Sequence, residues 1–122
     1  MRRVVVTGMG IVSSLGHSIS SAYERLKTLE NCVEASSELS EYKGLQTCLW
    51  APSKFVRPGE YTRKVVRTMS PVSMMALFAT EESLRQAGLY DDPVVKDGRL
   101  GVAYGSCSGG VDANADFYSV LM

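Results

Sequence analysis

The chain has 122 residues, 45% of them hydrophobic and 21% charged, the make-up of one globular domain with its own core and not of a disordered segment. Its 13 basic and 13 acidic side chains cancel, so no global field draws in nucleic acid, an anionic membrane or an acidic polymer, and charge-guided binding has to be local. Cys32, Cys48 and Cys107 are odd in number and far apart, and His17 is the single histidine; this argues against a disulfide framework or a metal site and suits a reducing cytoplasm.

The N-terminus, MRRVVVTGMGIVSSLG, places two arginines before an apolar run, as a signal peptide would. Thr7, Gly8 and Gly10 break the run early, and no uninterrupted apolar stretch approaches the ~20 residues needed to span a bilayer. Val4, Val5 and Val6 are β-branched and consecutive, the pattern of a strand buried on both faces of a parallel sheet, expected from Arg3 to Thr7. Gly8, Gly10 and Gly16 mark a turn-rich connection. Ser18 then caps a helix with Ile19, Ala22, Tyr23, Leu26 and Leu29 along one side.

From Asn31 to Tyr61 the periodicity fades, and Gly44, Pro52, Pro58 and Gly59 punctuate a polar excursion. Leu45 to Ala51, with Trp50, reads as a short extended segment packed on the body of the domain. Order returns at RKVVRTM, a short helix with Val65, Val66 and Met69 on one side and Arg63, Lys64 and Arg67 on the other. No carboxylate in that turn neutralises these cations, which makes the face a candidate docking patch for an acidic partner as well as a solvated helix side.

Ser70 to Gly88, SPVSMMALFATEESLRQAG, is the longest helical signal. Ser70 can cap the first amides, Pro71 sits where a missing N–H costs nothing, and Gly88 offers the left-handed closing position. Val72, Met75, Ala76, Ala79 and Ser83 share one face, while Met74, Leu77 and Phe78 occupy the opposite one. The first half therefore needs cover all round, and water is expected to reach only Glu81 to Gln86. A polar loop leads to RLGVAYGS, a second expected buried strand through Leu100, Val102 and Tyr104, whose end is built of small residues around Cys107. VDANADFYSVLM starts a helical pattern that is still running when the chain stops. The order is β-α-excursion-α-α-β-α, a parallel α/β arrangement that reads as cut off, with no separate second domain.

Three motifs invite chemistry. A strand running into G-x-G is half of a dinucleotide fingerprint, but Ser13 stands where the third glycine belongs and no acidic residue follows at a strand end, so a tight structural turn is the better account. Cys107 has no base or positive neighbour to ionise it and reads as a small packing residue. His17, in a Gly/Ser-rich loop, reads as a cap or surface group.

Taken together, VVVTGMGIVSSLG, RKVVRTMSPVSMMALFATEESLRQAGL and RLGVAYGSCSGG resemble, in order and spacing, the N-terminal part of a β-ketoacyl-acyl-carrier-protein synthase of the elongating type. The resemblance covers the whole chain. It implies a thiolase-like α/β fold of two similar halves, each a sheet covered by helices, with residues 1–122 as the opening part of the first half. It implies a dimeric, cytoplasmic acyltransferase of fatty acid biosynthesis that extends an acyl chain by decarboxylative condensation with malonyl-acyl carrier protein, without a cofactor or metal. The nucleophilic cysteine and the two histidines of the family belong to later motifs, so no catalytic residue is expected in this chain and the fragment is expected to be inactive. By position Cys107 matches the glycine-serine segment and not the nucleophile motif.

The resemblance further implies that Arg63, Lys64 and Arg67 meet the acidic helix of the carrier protein. It also implies that Ser108, in the G-S-x-x-G-G segment, lines the acyl pocket, where a small residue admits long chains. The alternative is a chain-length-factor-like partner that shares the fold, lacks a working nucleophile and shapes the pocket of a ketosynthase heterodimer. In either case a second sheet from the other half would cover the Ser70 to Gly88 helix, and residues 1–122 alone are expected to associate or stay partly unfolded.

Overall fold

A computed structural model describes residues 2–122, except for the side chains of Asp112 and Ala113. The elements are helix α1 (Ile19–Lys27), strands β1 (Glu34–Ala35) and β2 (Leu49–Trp50), and helices α2 (Arg63–Val66), α3 (Pro71–Gln86) and α4 (Val111–Leu121), with single 3₁₀ turns at Leu39–Glu41 and Pro93–Val95. Two compact units result, one made of residues 1–10 and 56–122, the other of residues 11–55.

In the smaller unit, Ser13 and Gly16 exchange backbone hydrogen bonds of 2.9 and 3.2 Å, which is the tight turn expected after the first apolar run. The Ser18 side chain accepts from the Ser21 amide and caps α1, while Ala22 is buried on its inner side. Tyr23, Leu26 and Leu29, expected on that side too, are 56%, 58% and 89% exposed. β1 and β2 pair antiparallel, Glu34 opposite Trp50 and Ala35 opposite Leu49, so the Leu45 to Ala51 segment is extended as expected. It remains open to solvent, with Trp50 42% exposed. His17 is neither a cap nor a free surface group: its Nε2 meets the Ser53 carbonyl and its ring packs edge-on against Phe55, 5.5 Å between centroids.

The larger unit is built on α3. Ser70 Oγ accepts from the Ser73 amide at 3.3 Å, Pro71 opens the first turn and Gly88 takes φ +70°, so both ends form as the residues dictate. None of its 16 residues is buried, so its apolar first half finds only partial cover within this chain. Water reaches both ends of the helix: Pro71, Val72 and Ser73 are exposed, as are Arg85 and Gln86 where exposure was expected, while residues 74–84, Glu81 to Leu84 included, are partly covered.

The N-terminal segment supplies part of that cover. A side chain placed on Gly10 would put its Cβ 1.8 Å from the Ala79 carbonyl oxygen, and one on Gly8 would stand 2.1 Å from that of Ser83. Two extended residues advance about 6.7 Å and one turn of helix, four residues, about 6 Å. G-x-G therefore supplies two flat spots one helical turn apart, and the segment lies against α3 backbone to backbone. The Met9 amide donates to Gln86 Oε1 at 2.6 Å and fixes the register. These glycines serve close approach, not a turn.

The two expected sheet strands require correction. Arg3 to Thr7 and Leu100 to Tyr104 have no strand partner among the described residues, and Val4, Val5 and Val6 are 96%, 74% and 80% exposed. A ladder needs a neighbour, and without one each segment leaves its backbone groups to water. The buried apolar residues among those described are Ala22, Tyr61 and Val66. A finished monomer of this mass exposes about 6,500 Å², whereas this chain exposes 10197 Å².

Candidate functional site

The short helix α2 carries the cationic face. Arg63, Lys64 and Arg67 are exposed, and none of the ion pairs among the described residues involves them. Arg25, Lys27, Lys54, Arg85 and Arg99 each hold a carboxylate within 4 Å. A four-residue helix has little stability of its own. Two of the best-buried apolar side chains secure this one: Tyr61 just before it, 5% exposed, and Val66 in its last turn, 8% exposed. Burying a valine stabilises by about 2 kcal/mol. Val65, expected beside Val66, is instead 50% exposed, because consecutive helical residues point about 100° apart.

Tyr61 is the anchor that sequence patterning did not single out. Its hydroxyl is enclosed beside the Glu81 carboxylate. Burial, reinforced by the negative charge of Glu81, raises its pKa from 10.0 to about 12. Glu81 in turn faces Arg85 at 3.7 Å, and the Arg85 guanidinium lies 3.6 Å over the Tyr90 ring. Glu81 and Arg85 on α3 thus pair with each other, whereas the cations of α2 point outward.

The second sequence-derived position, Ser108, is exposed and follows the extended segment that ends at Tyr104. The Gly109 amide donates to Ser106 Oγ at 3.0 Å, which folds Ser106–Gly109 into a turn, and Gly109 takes φ +62°. An open, mostly apolar cleft of about 420 Å³ lies between α3 and this segment, lined by Met69, Val72, Ala76 and Leu77 on one side and Tyr104 and Ser106 on the other. Ser108 stands two residues beyond that lining. Cys107, expected as a packing residue, is exposed, because nothing in the described chain folds over the glycine-rich turn. Among the described residues no group of three His, Cys, Asp or Glu side chains is placed to hold a metal ion, and no helix is long and apolar enough to cross a membrane.

Residues 1–120 match the family described as beta-ketoacyl synthase, N-terminal domain, and the chain belongs to that family. Its architecture is the opening part of the thiolase-like α/β fold. The crystal structure of a beta-ketoacyl synthase from Burkholderia phymatum STM815 superposes with a TM-score of 0.88 at 41% identity, over 99% of this chain and 30% of that one. The 3-oxoacyl-[acyl-carrier-protein] synthase 1 of Escherichia coli K12 is 34% identical over 109 residues, 89% of this chain and 27% of that protein. Nodulation protein E of Rhizobium meliloti strain 1021 is 31% identical over 124 residues, covering 99% of this chain and 30% of its own length. The chain spans less than a third of each.

Proposed function

We propose that these residues are the opening part of a 3-oxoacyl-[acyl-carrier-protein] synthase, in which they supply the docking face for the carrier protein and one wall of the acyl pocket. The intact protein joins the acyl group of one thioester to the α-carbon of a malonyl thioester. The malonyl carboxylate leaves as CO₂, its bonding electrons form the new carbon–carbon bond, and the acyl carbon–sulfur bond breaks, releasing the thiol that carried the acyl group. The nucleophile and the proton-handling groups lie outside residues 1–122, so this part alone is inactive, and the intact protein works as a dimer.

The observation that carries the proposal is the unpaired face of Arg63, Lys64 and Arg67 on a helix seated on Tyr61 and Val66. Exposed cations held on a rigid base attract an acidic helix and orient it without being consumed by internal ion pairs. Ser108 sits in the small-residue turn where the family's acyl pocket begins, and its small side chain leaves room for long chains.

The intact protein carrying Arg63→Ala, Lys64→Ala and Arg67→Ala together tests the docking face. Three exposed charges at 0.2–1 kcal/mol each give a rise of about tenfold in KM for acyl-carrier protein at low salt. The difference shrinks as ionic strength rises, and turnover of small acyl thioesters stays unchanged. A carrier-protein KM that ignores both the substitutions and the salt rejects the docking assignment.

A further inference from the structure

Helix α2 is a single turn. The Val65 and Val66 amides both donate to the Thr62 carbonyl, at 2.9 and 3.2 Å, and the Thr62 side chain does not cap it. So short a helix has no fixed angle of its own, and the direction in which Arg63, Lys64 and Arg67 point is set by the side chains that seat it. Tyr61, two residues before Arg63, is placed to do this. Its amide donates to the Pro58 carbonyl at 3.1 Å, and its hydroxyl is enclosed beside the Glu81 carboxylate of α3. A phenol has one proton to give and an ionised carboxylate only accepts, so a donor faces an acceptor. Burial, and after it the charge of Glu81, raise the Tyr61 pKa to about 12, which keeps that proton in place at neutral pH. Glu81 is held in turn, with Arg85 3.7 Å away and the Arg85 guanidinium over the Tyr90 ring.

Tyr61, Glu81 and Arg85 all belong to the unit formed by residues 1–10 and 56–122. The Tyr61 side chain is closed off from solvent by atoms of this chain itself, so residues beyond Met122 can add to the outside of the contact but cannot enter it. We infer that the Tyr61–Glu81 contact sets the angle of α2 against α3 and thereby places Arg63, Lys64 and Arg67 for the carrier protein in the intact enzyme. The inference rests on the assignment of those three cations to carrier docking. Tyr61 and Glu81 act through α2 as positioning residues. Loss of the phenol hydroxyl or of the carboxylate lets the turn tilt, and the cations then meet an acidic helix out of register.

The experiment uses the full-length protein and compares acyl-carrier protein with a small acyl thioester as substrate. Tyr61→Phe keeps the ring and removes the donor; Glu81→Ala removes the acceptor; Glu81→Gln keeps an acceptor oxygen. One hydrogen bond of ordinary strength corresponds to a change of about fivefold. Tyr61→Phe and Glu81→Ala should each raise KM for acyl-carrier protein by about that factor at unchanged kcat, the double variant by no more than the larger of the two, and Glu81→Gln by less than either. Turnover of the small thioester should stay the same in all of them. In the background of Arg63→Ala, Lys64→Ala and Arg67→Ala, Tyr61→Phe should have no further effect, since no cation remains to be placed. If the triple variant raises the carrier KM while Tyr61→Phe and Glu81→Ala leave it untouched, the positioning role is wrong and the docking assignment stands. If the triple variant has no effect, the docking assignment falls and the positioning role with it. An equal loss on both substrates in Tyr61→Phe and Glu81→Ala, or an undiminished effect of Tyr61→Phe in the triple background, marks a purely structural contact and also overturns the inference.

Discussion

Gly10→Ala puts the contact between the N-terminal segment and α3 under direct test. An added Cβ would stand 1.8 Å from the Ala79 carbonyl oxygen, against 3.4 Å or more for an ordinary contact, so the two backbones must part by roughly 1.6 Å at that point. The opposing atom is main chain inside a helix and cannot swing aside as a side-chain tip would. Parting of 0.5–1 Å already forfeits a quarter to a half of the local dispersion energy, which places the substitution at the upper end of overpacking costs, about 3 kcal/mol. Gly59→Ala and Gly101→Ala are the controls, since nothing lies within 4 Å of a Cβ at either position and neither takes a positive φ. Urea unfolding of the intact protein should show a lower midpoint for Gly10→Ala at unchanged slope, a loss nearly as large for Gly8→Ala, and a change within about 0.5 kcal/mol for the controls. Equal stability of Gly10→Ala and Gly101→Ala would refute the backbone-to-backbone packing of this segment.

The raised pKa of Tyr61, about 12 against 10.0, means that the folded state favours its neutral form. The stability this contributes is complete below pH 10 and is lost as pH rises through 12. Phenolate absorbance should show one late-titrating tyrosine that Tyr61→Phe removes. Residues 1–122 on their own, with roughly 3,700 Å² more surface than a finished monomer of this mass, should associate or melt without cooperativity in sedimentation and calorimetry. A monomeric, cooperatively melting fragment would contradict the exposed account of α3.

Local chemistry was readable from the residues. Ser18, Ser70, Pro71 and Gly88 place the ends of α1 and α3 because capping and φ preference act within a few residues. Helical periodicity likewise located α2 and α4. The cationic face was legible too, since Arg63, Lys64 and Arg67 are separated at helical spacing from Val66. What depends on a distant partner was not legible. Val4 to Val6 spell a buried strand, yet burial and pairing require neighbouring strands that the described residues do not provide. Gly8 and Gly10 looked like turn residues because their partners, Ala79 and Ser83, lie some seventy residues away in sequence. No periodicity could reveal Tyr61 beside Glu81, His17 against Ser53 and Phe55, or Tyr104 reaching Thr80, since each is a meeting of separate segments.

The central claim is that residues 1–122 open an enzyme which condenses carrier-bound thioesters through a cationic docking face. The most direct measurement is product analysis of the intact protein incubated with acyl- and malonyl-acyl carrier protein. The expected result is a 3-oxoacyl-carrier product two carbons longer than the primer with one CO₂ released per turnover, and no product from residues 1–122 alone. An intact protein that binds acyl-carrier protein through Arg63, Lys64 and Arg67 yet forms no such product would contradict the claim and identify a non-catalytic partner instead.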